Sequence, residues 1–146
     1  SPIAPCPKTD AALARSCLTE GERFDIFSFR DDIYACPSLS RHMLEMAASR
    51  LQVVYSPLHI GRIIRGELKP AHPLALTPWL ARDRFPVSRL ELSQALDYLR
   101  RTGTDFSPYA DGTSLVCYDD IPLGFAKKTD RRVNNLYPKE LRIVNL

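Results

Sequence analysis

Apolar and polar positions along the chain change rhythm several times, and the changes mark out its elements. Residues 24–29 (Phe-Asp-Ile-Phe-Ser-Phe) alternate for part of their length, the period-two pattern of a half-buried strand. The polar turn Arg30-Asp31-Asp32 leads into a second short strand at residues 33–36, so a hairpin is expected. Residues 1–8 are Pro-rich and read as irregular. After them, Ala11, Ala12, Leu13, Ala14 and Leu18 predict a short helix, capped by Thr9 or Asp10 and ended by Gly21. Leu39, Met43, Met46 and Ala47 recur at helical spacing behind Ser38 or Ser40, predicting a helix to about Ser49. Residues 51–64 are strand-rich and broken by Pro57 and Gly61, the glycine marking a bulge or a close backbone approach.

In the second half, Ser88-Arg89-Leu90-Glu91 has the form of a capping box. It opens a helix whose apolar stripe is Leu92, Ala95, Leu96 and Leu99, with Gly103 near its end. Trp79 reads as a core anchor within residues 76–80. Residues 104–114 form a loop that delivers the chain to a hydrophobic strand at 115–118. Asp119-Asp120 turns it, and residues 123–126 return beside it. Pro122 has no N–H to give, which suits the opening of an edge strand. The change of character across residues 77–87 is the best candidate for a join. The expected division is therefore 1–22 as linker and short helix, 23–80 as an α+β unit, and 81–146 as a second domain.

A chain of 146 residues with 45% hydrophobic content can bury a core as one domain or two small ones. A net charge of +3 carries no argument by itself, but the basic residues are concentrated at the C-terminal end. No apolar run approaches the ~20 residues of a membrane span, and the start lacks a signal-peptide pattern. Cys6, Cys17, Cys36 and Cys117 lie far apart without C-x-x-C spacing. None of His42, His59 and His72 completes a ligand set, so no metal site and free thiols in a cytoplasmic protein are expected. His72, isolated from any carboxylate or cysteine in sequence, reads as a structural histidine hydrogen-bonded near the join.

The chemistry gathers in residues 115–142. Lys127, Lys128, Arg131, Arg132, Lys139 and Arg142 form a cationic run interrupted by Asn134, Asn135 and Tyr137. Cations, amides and an aromatic ring on one short loop fit a phosphate backbone and an unstacked base. The alternative is a solvated basic loop at the end of a small domain. Arg62, Arg65 and Lys69 form a second, weaker cluster that reads as a solvated face.

Pro-Leu-Gly-Phe-Ala-Lys at residues 122–127 and Arg-Val-Asn-Asn-Leu-Tyr-Pro-Lys-Glu-Leu-Arg at 132–142 resemble the tail of F-type bacterial small-subunit ribosomal RNA cytosine-5 methyltransferases, relatives of the NOL/NOP/Sun group. Gly124, Lys127, Asn135, Tyr137, Pro138, Leu141 and Arg142 fall at that family's spacing. Phe125 stands where Trp is frequent, and Asn134 where Lys is frequent, which removes one cation. The Lys-Pro-Ala-His-Pro-Leu-Ala-Leu segment at 69–76 also resembles the family. So does Tyr98-Leu99-Arg100, although Arg101 replaces a glycine there. The resemblance runs over roughly residues 23–146 and is strongest in the last thirty.

It implies an α+β fold: a small mixed sheet-and-helix unit followed by a PUA-like β-barrel. Gly124 and Leu141 are implied to be there for packing. Lys127, Lys128, Arg131, Arg132, Lys139 and Arg142 would neutralise phosphates of ribosomal RNA. Asn134 and Asn135 would bond bases or 2′-hydroxyls. Tyr137 would either stack on a base or belong to the core. The implied partners are ribosomal RNA and a catalytic domain of the same protein, with no membrane and no DNA. A rival from another class is a protein-interaction module whose basic loop meets an acidic protein or its own catalytic domain.

Cytosine C5 methylation itself needs a nucleophilic thiolate and bound S-adenosylmethionine. The chain has no Gly-rich fingerprint, no run of β-α-β units and no base beside any cysteine. No catalytic residue and no cofactor site are expected here; S-adenosylmethionine belongs with the catalytic domain.

Overall fold

The apolar alternation at the N-terminal end builds an antiparallel sheet, and the rest of the chain builds a second, mixed one. The computed structural model describes residues 3–38 and 57–144. The chain divides into two units, Ser1–Ala71 and His72–Leu146. That division falls earlier than the join expected at residues 77–87, and residues 3–22 lie with the first unit. The helix read at 39–49, and the part of the strand-rich stretch before residue 57, lie outside the described residues.

The first unit contains β1 (Ile3–Pro5), α1 (Lys8–Ser16), β2 (Phe24–Phe29), β3 (Asp32–Pro37), β4 (Leu58–Ile64) and β5 (Glu67–Pro70). The strands pair in that order, each antiparallel to the next. Residues read as irregular at the start become the edge strand β1, with Ile3 opposite Phe29. Pro7 takes the N-cap position of α1 without a side-chain hydrogen bond. Thr9 and Asp10 therefore stand inside the first turn rather than capping it, and Asp10 there favours the helix dipole.

The β2–β3 and β4–β5 turns are two residues long. Arg30 and Asp31, then Arg65 and Gly66, all have positive φ, the backbone that two-residue hairpins prefer. Gly61 meets both parts of its expectation. The β3–β4 register slips so that Ile33 faces Gly61 while Tyr34 faces His59, and a Cβ on Gly61 would strike the Lys69 carbonyl. Ala14, Cys17, Leu18, Phe24, Ile33, Ala35 and Ile60 bury the apolar faces of helix and sheet.

The second unit contains α2 (His72–Leu76), β6 (Val87–Leu90), α3 (Leu92–Arg100), β7 (Gly112–Tyr118), β8 (Ile121–Thr129) and β9 (Arg132–Asn135). A 3-10 turn, Lys139–Leu141, follows. The sheet order is β6-β7-β8-β9, with β6 parallel to β7 and the remaining pairs antiparallel. Two sheets and a few helices give the α+β class. Among the described residues the second sheet is open, with β6 and β9 at its edges.

Four local expectations are corrected in this unit. Ser88 does not cap α3; it lies in β6, buried, with its hydroxyl 2.7 Å from that of Ser114 and accepting the Ala110 N–H. The capping box forms three residues later, between Glu91 and Gln94. Pro122 does not open an edge strand: β8 is central, and the proline faces Cys117 where the β7–β8 register shifts, a bulge that needs no N–H from it. Trp79 is 41% exposed and anchors no core. Leu141 is likewise half exposed, whereas Tyr98, which broke the apolar stripe, is buried. One buried cluster of this unit is Leu90, Ala95, Tyr98, Val116 and Ala126, and Leu74, Ala75, Leu115 and Phe125 are buried as well.

Candidate nucleic-acid interface

The basic run is mostly strand, and strand alternation sorts it. Lys127 and Lys128 lie in β8, Arg132, Asn134 and Asn135 in β9, and Arg131 in the turn between them. The register pairs Lys127 with Asn134 and Thr129 with Arg132, which puts these four side chains on one face. With Arg131 at the turn, Lys127, Arg132 and Asn134 line one shallow groove. Arg131, Arg132 and Asn134 are exposed.

The other face carries Ala126, Lys128, Val133 and Asn135, and it looks inward. The Lys128 ammonium donates to the Tyr109 carbonyl at 3.0 Å, lies 3.6 Å from the Asp111 carboxylate and stands 5.4 Å over the Phe106 ring. Asn135 uses both ends of its amide: Nδ2 donates to the Tyr98 carbonyl at 2.9 Å, and Oδ1 accepts the Tyr137 N–H at 2.8 Å. Lys139 and Arg142 are exposed on and after the 3-10 turn and do not line the groove.

A buried cluster holds the hairpin in place. Gly124 of β8 lies under Tyr98 and His72, and a Cβ there would strike the Tyr98 hydroxyl. That hydroxyl donates to the Phe125 carbonyl at 2.8 Å, and burial raises its pKa far above that of a free tyrosine. The Tyr137 ring meets His72 edge-on at 5.2 Å and tilts against Tyr98 at 5.5 Å, so packing is the role its surroundings give it. His72 is not hydrogen-bonded as expected: its Nδ1 is buried without a partner among the described residues. Burial holds its pKa below the usual histidine value, with Glu140 pulling the other way.

Sequence reasoning missed Arg101 as a positioning residue, although its replacement of a glycine was the signal. It ends α3 at φ 58°, ψ 37°, a left-handed cap in which the Thr102 N–H donates to the Asp97 carbonyl. Its guanidinium then donates to the Asn135 carbonyl at 2.9 Å and to the Tyr137 carbonyl. One side chain thus ties the helix end to the segment after β9.

Beside the β9 edge, the end of α3 and the loop after it enclose a cavity of ≈ 290 Å³ lined in part by Gln94, Asp97, Asp105, Tyr109, Val133 and Asn134. Burial pushes the Tyr109 hydroxyl up to about 12, and Asp97 and Asp105 add to the shift. Asp105 accepts two hydrogen bonds from Ser107, which hold its carboxyl below the usual range.

No group of three or more His, Cys, Asp or Glu is placed to hold a metal among the described residues, and no described helix is long and apolar enough to cross a membrane. The cysteines are free thiols; Cys117 is buried, and burial raises its pKa, which disfavours the thiolate. The parallel crossover β6–α3–β7 joins its first strand and helix through Glu91, without a Gly-rich turn.

A mixed sheet with one crossover helix and a cationic hairpin is consistent with a PUA-like β domain within the α+β class. Residues 85–143 match the family model described as the methyltransferase RsmF PUA domain. The match spans β6 to the closing 3-10 turn, so this stretch is similar to the PUA domain of that methyltransferase. No curated protein matches the chain.

Proposed function

We propose that the second unit recruits and orients structured ribosomal RNA for a cytosine-5 methyltransferase domain that binds S-adenosylmethionine and acts in the cytoplasm. The observation that carries this reading is the outward face of the β8–β9 hairpin, where Lys127, Arg131, Arg132 and Asn134 share one groove. Three cations on a rigid ribbon meet phosphates without reorganising, and an amide among them reaches a base edge or a 2′-hydroxyl. Lys139 and Arg142 extend the cationic surface along the following turn. Lys128, Asn135 and Tyr137 serve the same interface from within: they hold the hairpin at its angle.

Titration of the protein with a small-subunit ribosomal RNA fragment at two salt concentrations, beside a DNA duplex, tests this directly. RNA should bind preferentially, with log affinity falling by roughly 0.7–0.9 per neutralised phosphate for each decade of salt. Replacing Arg131 and Arg132 by Glu should weaken RNA binding by at least about tenfold without lowering the melting temperature. Unchanged affinity in that variant, or equal affinity for DNA, would remove the hairpin from the interface.

A further inference from the structure

We infer that the cavity beside the β9 edge is a base pocket that takes a single unstacked guanine from the bound RNA, with Asp97 reading its Watson–Crick edge. The inference deepens the RNA-binding reading and rests on it. Several observations point the same way. The cavity is ≈ 290 Å³, room for one base, and Val133 and Asn134 line both it and the cationic groove. A chain whose phosphates lie along Arg131 and Arg132 therefore passes its mouth.

The charge inside is opposite to the charge outside. Asp97 and Asp105 line the cavity, and no cation pairs with Asp97 among the described residues. Arg101, which shares the wall, donates from one guanidinium nitrogen to the Asn135 and Tyr137 carbonyls, and the two carboxylates outnumber its single charge. Asp105 is kept ionised by its Ser107 hydrogen bonds. Phosphate is repelled from such a pocket and drawn to the hairpin, which orients a nucleotide base-inward. An acidic peptide is excluded by the same carboxylates, and a basic one by the cationic rim.

Among the bases, guanine alone presents two adjacent donors, N1–H and the 2-amino group, to match the two oxygens of one carboxylate. Cytosine and adenine each offer a single amino group, and uracil one imino N–H. The main chain at the edge adds polar capacity. Leu136 N–H donates to the Phe125 carbonyl, so the alternation of the ladder turns the N–H and C=O of Val133 away from β8. Gly103, at φ 89°, brings the loop backbone against Asp97 and keeps that wall open: an ideal Cβ there would lie 3.1 Å from the Asp97 Cβ.

The test uses the whole chain and three stem-loop RNAs that differ at one loop position: guanosine, inosine or adenosine. Guanosine should bind about tenfold or more tighter than adenosine, the discrimination expected of one bidentate contact. Inosine, which lacks only the 2-amino donor, should fall between them. Asp97→Asn should bring guanosine down to the adenosine affinity and leave adenosine binding unchanged. Asp97 is exposed on α3, so the variant keeps its fold. Equal binding of all three RNAs, or a guanosine preference that survives Asp97→Asn, would overturn the pocket while leaving the RNA-binding hairpin intact. Loss of all RNA binding in the unmodified protein would overturn both.

Discussion

Arg101 pays a backbone cost to do its work. A non-glycine residue in the left-handed region is disfavoured by about 1–2 kcal/mol. Two charge-assisted hydrogen bonds to carbonyls contribute about 1.5–3 kcal/mol each, so the arginine is favoured despite its φ of 58°. His72 has the opposite character, a polar group placed where its charge is unwelcome. Burial depresses its folded pKa below the unfolded value of about 6.5. Below pH 6.5 the unfolded chain binds the proton more readily, so stability is complete above that pH and is lost as pH falls towards the depressed folded value. Melting temperatures between pH 7 and pH 5 should therefore fall more steeply for the unmodified protein than for His72→Leu, in which that titration is gone. Parallel slopes would mean that His72 does not carry the difference.

At the scale of elements, the hairpin works because two strands and a helix interlock at Gly124. The glycine admits the Tyr98 ring between α3 and β8, and the hydroxyl then gives the Phe125 carbonyl a second donor beside the Leu136 N–H. Gly124→Ala should destabilise the domain by about 1–3 kcal/mol, the usual cost of overpacking. Tyr98→Phe should cost about 0.5–1.5 kcal/mol, the loss of one hydrogen bond, because the Phe125 carbonyl keeps the Leu136 N–H. The two changes should be less than additive when combined, because removing the hydroxyl makes room for the methyl group. Urea denaturation of the three variants measures this coupling, and strict additivity would show that the alanine is rejected by something else. The same interlock explains the split of the basic run. Val133 packs onto the core, so its opposite number Lys128 must point inward and Lys127 outward.

Across the whole molecule, the two units each have their own sheet and their own buried residues. All nine candidate interface residues, the cavity, and the stretch that matches the PUA family lie in the second unit. A fragment of residues 72–146 should therefore fold and bind the same ribosomal RNA with unchanged affinity, since a unit with its own core carries its own stability. Weaker binding by the folded fragment would assign part of the RNA surface to the first unit. Mutation of Arg62 and Lys69 is then the place to look, although both face carboxylates of their own, Asp32 and Glu67.

What the sequence determined by itself was local. The alternation at residues 24–29 and the turn at Arg30-Asp31 specify the β2–β3 hairpin through near neighbours. The existence of α3, the hydrophobic β7 and the basic C-terminal run are equally local, and the family motif could be read directly because it is a short string with fixed spacing. The tertiary structure decided what depends on distant partners. Ser88 became a buried strand residue through Ser114, and Pro122 was tolerated in a central strand through a bulge against β7. The pairing of β8 with β9, invisible as long as residues 127–135 read as loop, chose which of two adjacent lysines meets solvent. Tyr98 reaches Phe125 across 27 residues and Arg101 reaches Asn135 across 34. Propensity and periodicity report on a residue and its immediate neighbours. Register, burial and a hydrogen-bond partner are set by chain segments that meet only once the domain has folded.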